Sequence, residues 1–578
     1  MKIYSIIIKS AIISLIIFTI SFAQSDGKIF SINENFDKDP GWDNYINRVQ
    51  GTDCPVITQN FGWSSTNNNG DGPGEIGGII FRSTTPASYA MPIGKSISLN
   101  EPFSASGNIS VIAPEKEGFG FYLGFFNSER DGWRLWSSCG ARIGKLSKDV
   151  EGAARWHLDY KTGNAAGATL NPDLAVPCDG SVHTWEMKFE PDVTVADSKW
   201  PHEKLPDYLP MDGTDIHTDS VLVKFQIDEP LMTKGKLLEL LLEARNLGLV
   251  DDWYRKGKYH LWNKEREPEK IKGKITFTFD GESVSYFLIP GHQELPFAID
   301  RFGFWNMQVY TGSMEFYVSD LVINNHKIDL SQDPQWQGIN NRITFEEKDF
   351  HGRQNFGYSQ TNWAGESPGE IGGRFYGTEV DDPLFGYYAT DIGELTLEDP
   401  IKFSGNIIFT EGAVDGRMLI GYFNKEELLA DIQGEYKGFP PHQYMGLSVI
   451  DGTRVGYNLA AICSPHQNIY SQGVGPIFIP DRIVRPFVFE YDPDSGEAGR
   501  MTLTLGDKTF SSNLTPEQRK TGSKFDRFGL FSPRKGGKYV DVYFDDITYS
   551  SKKLKAEVKL HKQKVIEEPY PAWGREHY

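Results

Sequence analysis

Asn60-Phe61-Gly62-Trp63-Ser64-Ser65-Thr66-Asn67 is written a second time as Asn355-Phe356-Gly357-Tyr358-Ser359-Gln360-Thr361-Asn362. At the same offset, Pro73-Gly74-Glu75-Ile76-Gly77-Gly78 recurs as Pro368-Gly369-Glu370-Ile371-Gly372-Gly373. Working outward, Ser106-Gly107-Asn108-Ile109 matches Ser404-Gly405-Asn406-Ile407, and Leu123-Gly124-Phe125-Phe126-Asn127 matches Ile420-Gly421-Tyr422-Phe423-Asn424. Near the end of each copy, Asp300-Arg301-Phe302-Gly303 matches Asp526-Arg527-Phe528-Gly529, and Phe316-Tyr317-Val318-Ser319-Asp320 matches Val542-Tyr543-Phe544-Asp545-Asp546. So many matches in one order mark an internal duplication. Glu75 and Glu370, set among glycines in both copies, are read as braces of a tight turn rather than catalysts.

The copies differ in length. The spacing between matched positions changes after Pro191 and Pro493, which places an insertion at about 192–270 in the first copy. Its run Leu237-Leu238-Glu239-Leu240-Leu241-Leu242-Glu243-Ala244-Arg245, stopped by Gly248, predicts a helix. A helix inserted there serves as a lid over a site or as a bracket between domains, and the sequence leaves both open.

Elsewhere the hydrophobic period is two. Lys274-Ile275-Thr276-Phe277-Thr278-Phe279 and Arg500-Met501-Thr502-Leu503-Thr504-Leu505 alternate polar and apolar faces. With 13% aromatics, 59 Gly and 32 Pro in 578 residues, the expected class is all-β, two tandem two-sheet sandwiches. The expected domains are 24–330, carrying the insertion, and 335–551, with a tail at 552–578 outside the repeat.

Residues 1–23 read as a secretory signal peptide. Lys2 and Lys9 precede the apolar run Ala11 to Phe18, and Ser21-Phe22-Ala23 has the small residues of a cleavage site. No later stretch is apolar and long enough to span a membrane, so a secreted or periplasmic protein without membrane insertion is expected. Export permits disulfides among Cys54, Cys139, Cys178 and Cys463, and Cys139 with Cys178 is the favoured pair.

Net charge is −19, from 59 Lys+Arg against 78 Asp+Glu, which counts against a non-specific nucleic-acid binder. It leaves room for a polyanion held in a locally basic cleft. There is no Walker loop, GxSxG elbow, EF-hand or metal-ligand spacing. No cofactor is expected; a structural Ca²⁺ is compatible with such sandwiches but has no motif here. A retaining glycoside hydrolase needs two carboxylates on one strand face, and Glu379-Val380-Asp381-Asp382, followed by Pro383, does not supply the pattern.

A polysaccharide lyase needs other groups: Arg, Asn or Gln to neutralise a uronate carboxylate, and His or Tyr to move protons. In Arg155-Trp156-His157-Leu158-Asp159-Tyr160, Arg155, His157 and Asp159 share a strand face, and Arg134 joins from a neighbouring strand. In the second copy His442 and Tyr444 share a face, with Arg417 and Arg454 on flanking strands. The candidates are therefore His157, Tyr160, His442 and Tyr444 as catalytic groups, and Arg134, Arg155, Arg417 and Arg454 as substrate ligands. Each set also has a plainer reading, a solvated strand face or a hydrogen-bonded pair. The segments diverge between copies, Arg155-Trp156-His157 against Arg454-Val455-Gly456, so at most one half is catalytic.

The closing Asp-Arg-Phe-Gly, turn and strand resemble the end of a concanavalin A-like jelly roll, in both halves. The pattern Asn-Phe-Gly-aromatic-Ser-x-Thr-Asn followed by Pro-Gly-Glu-Ile-Gly-Gly resembles exported two-jelly-roll proteins of marine polysaccharide-degrading bacteria, and the layout is similar to that of ulvan lyases. That resemblance spans most of residues 34–551 and carries no catalytic motif residue by residue. It implies endo-acting β-elimination between a sulfated rhamnose and a uronic acid, with a polysaccharide as the partner. A non-catalytic glycan-binding protein is the alternative, and a glycoside hydrolase a more distant one.

Overall fold

The computed structural model describes residues 28–70, 72–112, 119–129, 137–146, 152–162, 167–170, 174–194, 272–288, 292–347, 353–377, 386–413, 416–433, 441–450, 457–466, 469–472, 476–478, 480–532, 538–554 and 565–568. The signal segment and nearly all of the 192–270 insertion, including its expected helix, lie outside the described residues, as do Arg134 and Arg454. Among the described residues no helix is long and apolar enough to cross a membrane.

The architecture is all-β: four large sheets packed in two face-to-face pairs, each pair closing on its own core. In the first sandwich the back sheet runs Glu282–Phe287, Lys272–Phe279, His183–Thr194, Phe103–Ile112, Ser313–Ile323, Glu75–Phe81, Val56–Ser64, Arg342–Glu346. Its front sheet runs Gly167–Leu170, Ala153–Lys161, Ser138–Leu146, Gly120–Phe126, Ile299–Asn306, Ser88–Ile97, Gln337–Ile339. The second sandwich repeats this order. Its front sheet runs Ile469–Gln472, Tyr457–His466, Tyr444–Ile450, Arg417–Phe423, Lys524–Phe531, Tyr387–Thr396, Asp43–Tyr45. Alternation explains the burial: Ile275, Phe277 and Phe279 point into the core while the Thr residues between them are only partly buried.

The strand pairing crosses the expected domain boundary, which is therefore corrected. Phe30–Glu34 pairs with Tyr539–Ser551 and Asp43–Tyr45 with Tyr387–Thr396, so the N-terminal stretch completes the second sandwich. Conversely, Gln337–Ile339 and Arg342–Glu346 pair with Ser88–Ile97 and Val56–Ser64, so residues past 335 complete the first. The exchanged segments are themselves a repeat, Asp39-Pro40-Gly41-Trp42 against Asp333-Pro334-Gln335-Trp336, followed by Asn47-Arg48 against Asn341-Arg342.

Their contacts match in detail. Trp42 is buried in the second core and stacks on Tyr388 at 5.5 Å, whose hydroxyl donates to Asp39 at 3.0 Å. Trp336 enters the first core and stacks on Tyr89 at 5.6 Å, whose hydroxyl donates to Asp333 at 3.4 Å. Asn47 Nδ2 donates to Phe356 O at 2.5 Å, and Asn341 Nδ2 to Phe61 O at 2.6 Å. Each sandwich is thus closed by a strap whose sequence belongs to the other copy. Of the expected tail, Ile566–Glu568 forms a parallel pair with Val49–Gly51, beside the N-terminal strap.

The conserved-looking glycines of the repeat are set by close approach. Gly74 and Gly369 have φ of 105° and 122°, and a Cβ there would meet Leu330 O at 1.8 Å or Phe36 O at 2.0 Å. Glu75 accepts from Thr66 Oγ1 at 2.5 Å and from the Asn68 and Asn69 amides at 2.9 Å. Glu370 accepts from the Thr361 hydroxyl and from the Trp363 and Ala364 amides at 3.1 and 2.7 Å. Both carboxylates hold the turn before their own strand.

The favoured disulfide is absent: Cys139 and Cys178 are both free thiols. Cys139 lies opposite Tyr160, at one end of Ala153–Lys161, while Pro177, next to Cys178, lies opposite Ala153 at the other end. Strand geometry separates such positions by roughly 20 Å, far beyond the reach of a disulfide.

Candidate functional site

On Ala153–Lys161 the alternation divides the candidates. Ala154, Trp156, Leu158 and Tyr160 enter the core, and Arg155, His157, Asp159 and Lys161 take the outer face of the front sheet. Tyr160 therefore cannot work with His157, because residues three apart on a strand point to opposite sides. Its hydroxyl instead lies 2.9 Å from His292 Nδ1 beneath the sheet. Burial, with the Lys161 charge nearby, pushes the His292 imidazole down to about 4, so this internal pair is neutral at ordinary pH.

Register carries the outer face across the sheet. His157 stands opposite Arg142, Arg142 opposite Tyr122, Tyr122 opposite Trp305, and Trp305 opposite Ser88. One row of side chains thus crosses five strands at right angles to them. Tyr122 and Trp305 stack with ring centroids 5.2 Å apart and planes 6° apart. Arg142 Nε is 4.0 Å from Asp159 Oδ2, a loose ion pair.

A further cation reaches this row from the crossover between sheets. Arg82 follows Glu75–Phe81, and its guanidinium is influenced by Arg142 and Tyr122. Its Nε has no hydrogen-bond partner among the described residues. Burial and the Arg142 charge push Arg82 down to about 10, so it stays cationic at neutral pH. Two guanidinium groups held near each other attract an anion. Sequence reasoning missed Arg82, Arg142 and Tyr122. No local pattern marks Arg82, while Arg142 and Tyr122 sit in Gly- and aromatic-rich strands that read as core.

The same row in the second sandwich carries none of this chemistry. The corresponding residues are Ala460, Ser448, Leu419, Phe531 and Tyr387. The helix Lys425–Gln433 lies against this face, with Leu428 buried among Tyr387, Leu419, Phe423 and Phe531 and Leu429 packed beside them. Tyr444 belongs to this apolar cluster, fully buried, its hydroxyl 2.9 Å from Ile420 O and 2.8 Å from Leu447 O. Burial pushes its phenol well above the ordinary value. His442 is half-buried before the strand and stacks on His466 at 4.9 Å. Arg417 occupies the far end of the face, opposite Ile450. The structure thus brings Arg155 and His157 together, and assigns Tyr160 and Tyr444 to packed interiors.

The sandwiches meet over the polar row. Tyr122, Phe126 and Trp305 form one buried cluster with Tyr376, Ala413 and Tyr539 of the second sandwich. Tyr539 is held by the Arg374 guanidinium over its ring at 4.1 Å, and Arg374 is fixed by Asp541 at 2.7 Å and Glu411 at 2.6 Å. The second sandwich therefore packs directly on the Tyr122–Trp305 part of the row.

No family model matches the chain, and neither does any curated protein. Among solved structures, domains LG4-5 of the mouse laminin α1 chain are 9% identical, over 82% of this chain and 86% of that one, with a TM-score of 0.22. An endo-β-1,4-glucuronan lyase from the fungus Trichoderma reesei is 10% identical, over 34% and 87%, with a TM-score of 0.24. The alginate lyase Aly36B is 8% identical, over 33% and 85%, with a TM-score of 0.21. Likenesses this low assign no activity to this chain.

Proposed function

We propose that the chain is a polysaccharide lyase that cleaves a uronate-containing glycan by β-elimination on the front face of the first sandwich. The observation that carries this reading is the constellation of Arg82, Arg142, His157 and Tyr122 on one sandwich, where the matching row of the other carries Ala460, Ser448 and Leu419 in place of His157, Arg142 and Tyr122. Arg82 and Arg142 would hold the uronate carboxylate and take up the negative charge that develops when the neighbouring C5 proton leaves. His157 would accept that proton. As the C4–O bond breaks and the C4–C5 double bond forms, Tyr122 would return a proton to the departing oxygen. No net oxidation occurs and no water is consumed.

In the fuller form of this reading, the two sandwiches descend from one duplicated domain of concanavalin A-like jelly-roll type, with a helical insertion at about 192–270. The protein is exported through residues 1–23, and its substrate is a sulfated, ulvan-like polymer. The decisive experiment is absorbance near 235 nm during incubation with ulvan, alginate, pectin and glycosaminoglycans. Growth on one substrate, lost in His157→Ala, supports the reading. A flat trace, combined with measurable binding, would leave a non-catalytic glycan-binding protein.

A further inference from the structure

A cleft of about 300 Å³ opens on the same front face at the opposite end of the row from His157. That is the lower end of the size range of small-ligand sites, roughly 300–1,000 Å³. Its apolar lining is Pro86, Ala87, Ala90 and Ile339, with a small exposed part of the buried Phe126 and Trp305. Its polar lining includes Ser88, Ser128, Gln308 and Gln337, groups that both donate and accept hydrogen bonds. Two charges of opposite sign, Arg301 and Glu129, complete it. Gln337, Ile339 and Asn340 come from the exchanged strap, so the outer wall of this cleft belongs to the second copy of the repeat.

The second sandwich shows why the cleft exists. There Arg527, the counterpart of Arg301, faces Asp391 across the strands at 3.7 Å. In the first sandwich the residue opposite Arg301 is Pro92. Arg301 keeps the Asp300 carboxylate at 3.2 Å, just as Arg527 keeps Asp526 at 3.2 Å, but among the described residues it has no cross-strand acid, and it lines the cleft. Beside the helix in the second sandwich, Lys425 ties down Asp526 and Asp43, and the face is closed. With Glu129 and Asp300 close to Arg301, the cleft carries no excess of positive charge, unlike the Arg82 and Arg142 end of the row.

From this lining we infer that the cleft is a subsite for an uncharged sugar ring, whose hydroxyls meet Gln337, Ser88 and Glu129. Trp305 is three strand spacings from His157, on the order of 14 Å, a span bridged by an oligosaccharide rather than one sugar. The inference rests on the lyase reading but departs from its sulfated substrate: the preferred glycan places uncharged rings among its uronates, because a sulfate on the ring in this cleft would meet Glu129.

The test is calorimetric titration of the full chain with size-defined oligosaccharides of equal length, one series alternating uronate with an uncharged sugar and one of uronate alone. The alternating series should bind at least tenfold more tightly. Gln337→Ala combined with Ser88→Ala should erase that margin while leaving affinity for the pure uronate series and the melting temperature unchanged. Equal affinity for both series, or a variant that keeps the margin, overturns the subsite even if cleavage is seen at 235 nm. A preserved margin without any cleavage keeps the subsite and removes the lyase reading.

Discussion

The two front sheets share strand order, register and the glycines that let their strands cross closely, yet one presents His157, Arg142 and Tyr122 where the other presents Ala460, Ser448 and Leu419. The second face has become interior: the Lys425–Gln433 helix covers it, and its cluster is as dry as a core. The first face has kept polar groups and cations that gain nothing from burial, beside the Tyr122–Trp305 patch on which the neighbouring sandwich packs. One fold thus supports either a packed interface or a site, depending on a single row of side chains.

The sharpest way to break this comparison is to remove His157. His157→Ala should lower kcat on the responsive uronate glycan by about 10²–10⁴-fold, the usual worth of a general base, measured at 235 nm. Ala460→Ser, at the equivalent position of the second sandwich, should leave the rate unchanged. Equal losses from both would end the idea that only the first face is chemical.

Next in size is the reciprocal closure. Trp42→Ala should cost about 3–5 kcal/mol, as for large aromatics cut from a core, and speed amide exchange in Tyr387–Thr396 of the second sandwich. Trp336→Ala should instead speed exchange in Ser88–Ile97 of the first. If each loosens its own half of the sequence, the exchange of straps is wrong.

Arg82 comes third. Arg82→Ala should lower kcat/KM by roughly 10²-fold, in the range seen when one charge-stabilising donor is lost, without changing the melting temperature by more than a few degrees. Arg82→Lys should recover part of the loss. An Arg82→Ala enzyme with unaltered kcat/KM would show that the guanidinium stands outside the reaction.

The smallest effect concerns Asp545, which occupies the place of Ser319 in the first sandwich. Burial, then the nearby Asp546, Glu370 and Asp37 charges, push its carboxyl up to about 6. A carboxyl raised in the folded state favours folding fully below its unfolded value near 4, and that contribution is lost as pH rises through 6. Asp545→Ser should therefore raise the melting temperature relative to the natural chain at pH 7–8 and lower that advantage or reverse it at pH 4. A gain of equal size at both pH values would rule out ionisation as its origin.

Much of the fold was legible because its signals are local. Period-two alternation in Lys274 to Phe279 and paired turns such as Pro-Gly-Glu-Ile-Gly-Gly need only neighbouring residues to be read. His157 and Arg155 were legible as one strand face for the same reason. Tyr160 failed on parity, and Tyr444 on the assumption that an outer face stays wet; the helix Lys425–Gln433, earlier in sequence, made that face a core. The weaker repeat Asp-Pro-x-Trp escaped notice because its matches are sparse, and with it went the boundary between domains.

The sequence alone therefore determined the element type and the inward or outward sense of a strand residue, since each depends on backbone geometry within a few residues. Only the tertiary structure decided which copy of the strap closes which sandwich, which face a helix covers, and that Arg82 arrives beside Arg142. Those outcomes depend on contacts between residues far apart in the chain, where free energy is set by packing and burial rather than by local pattern.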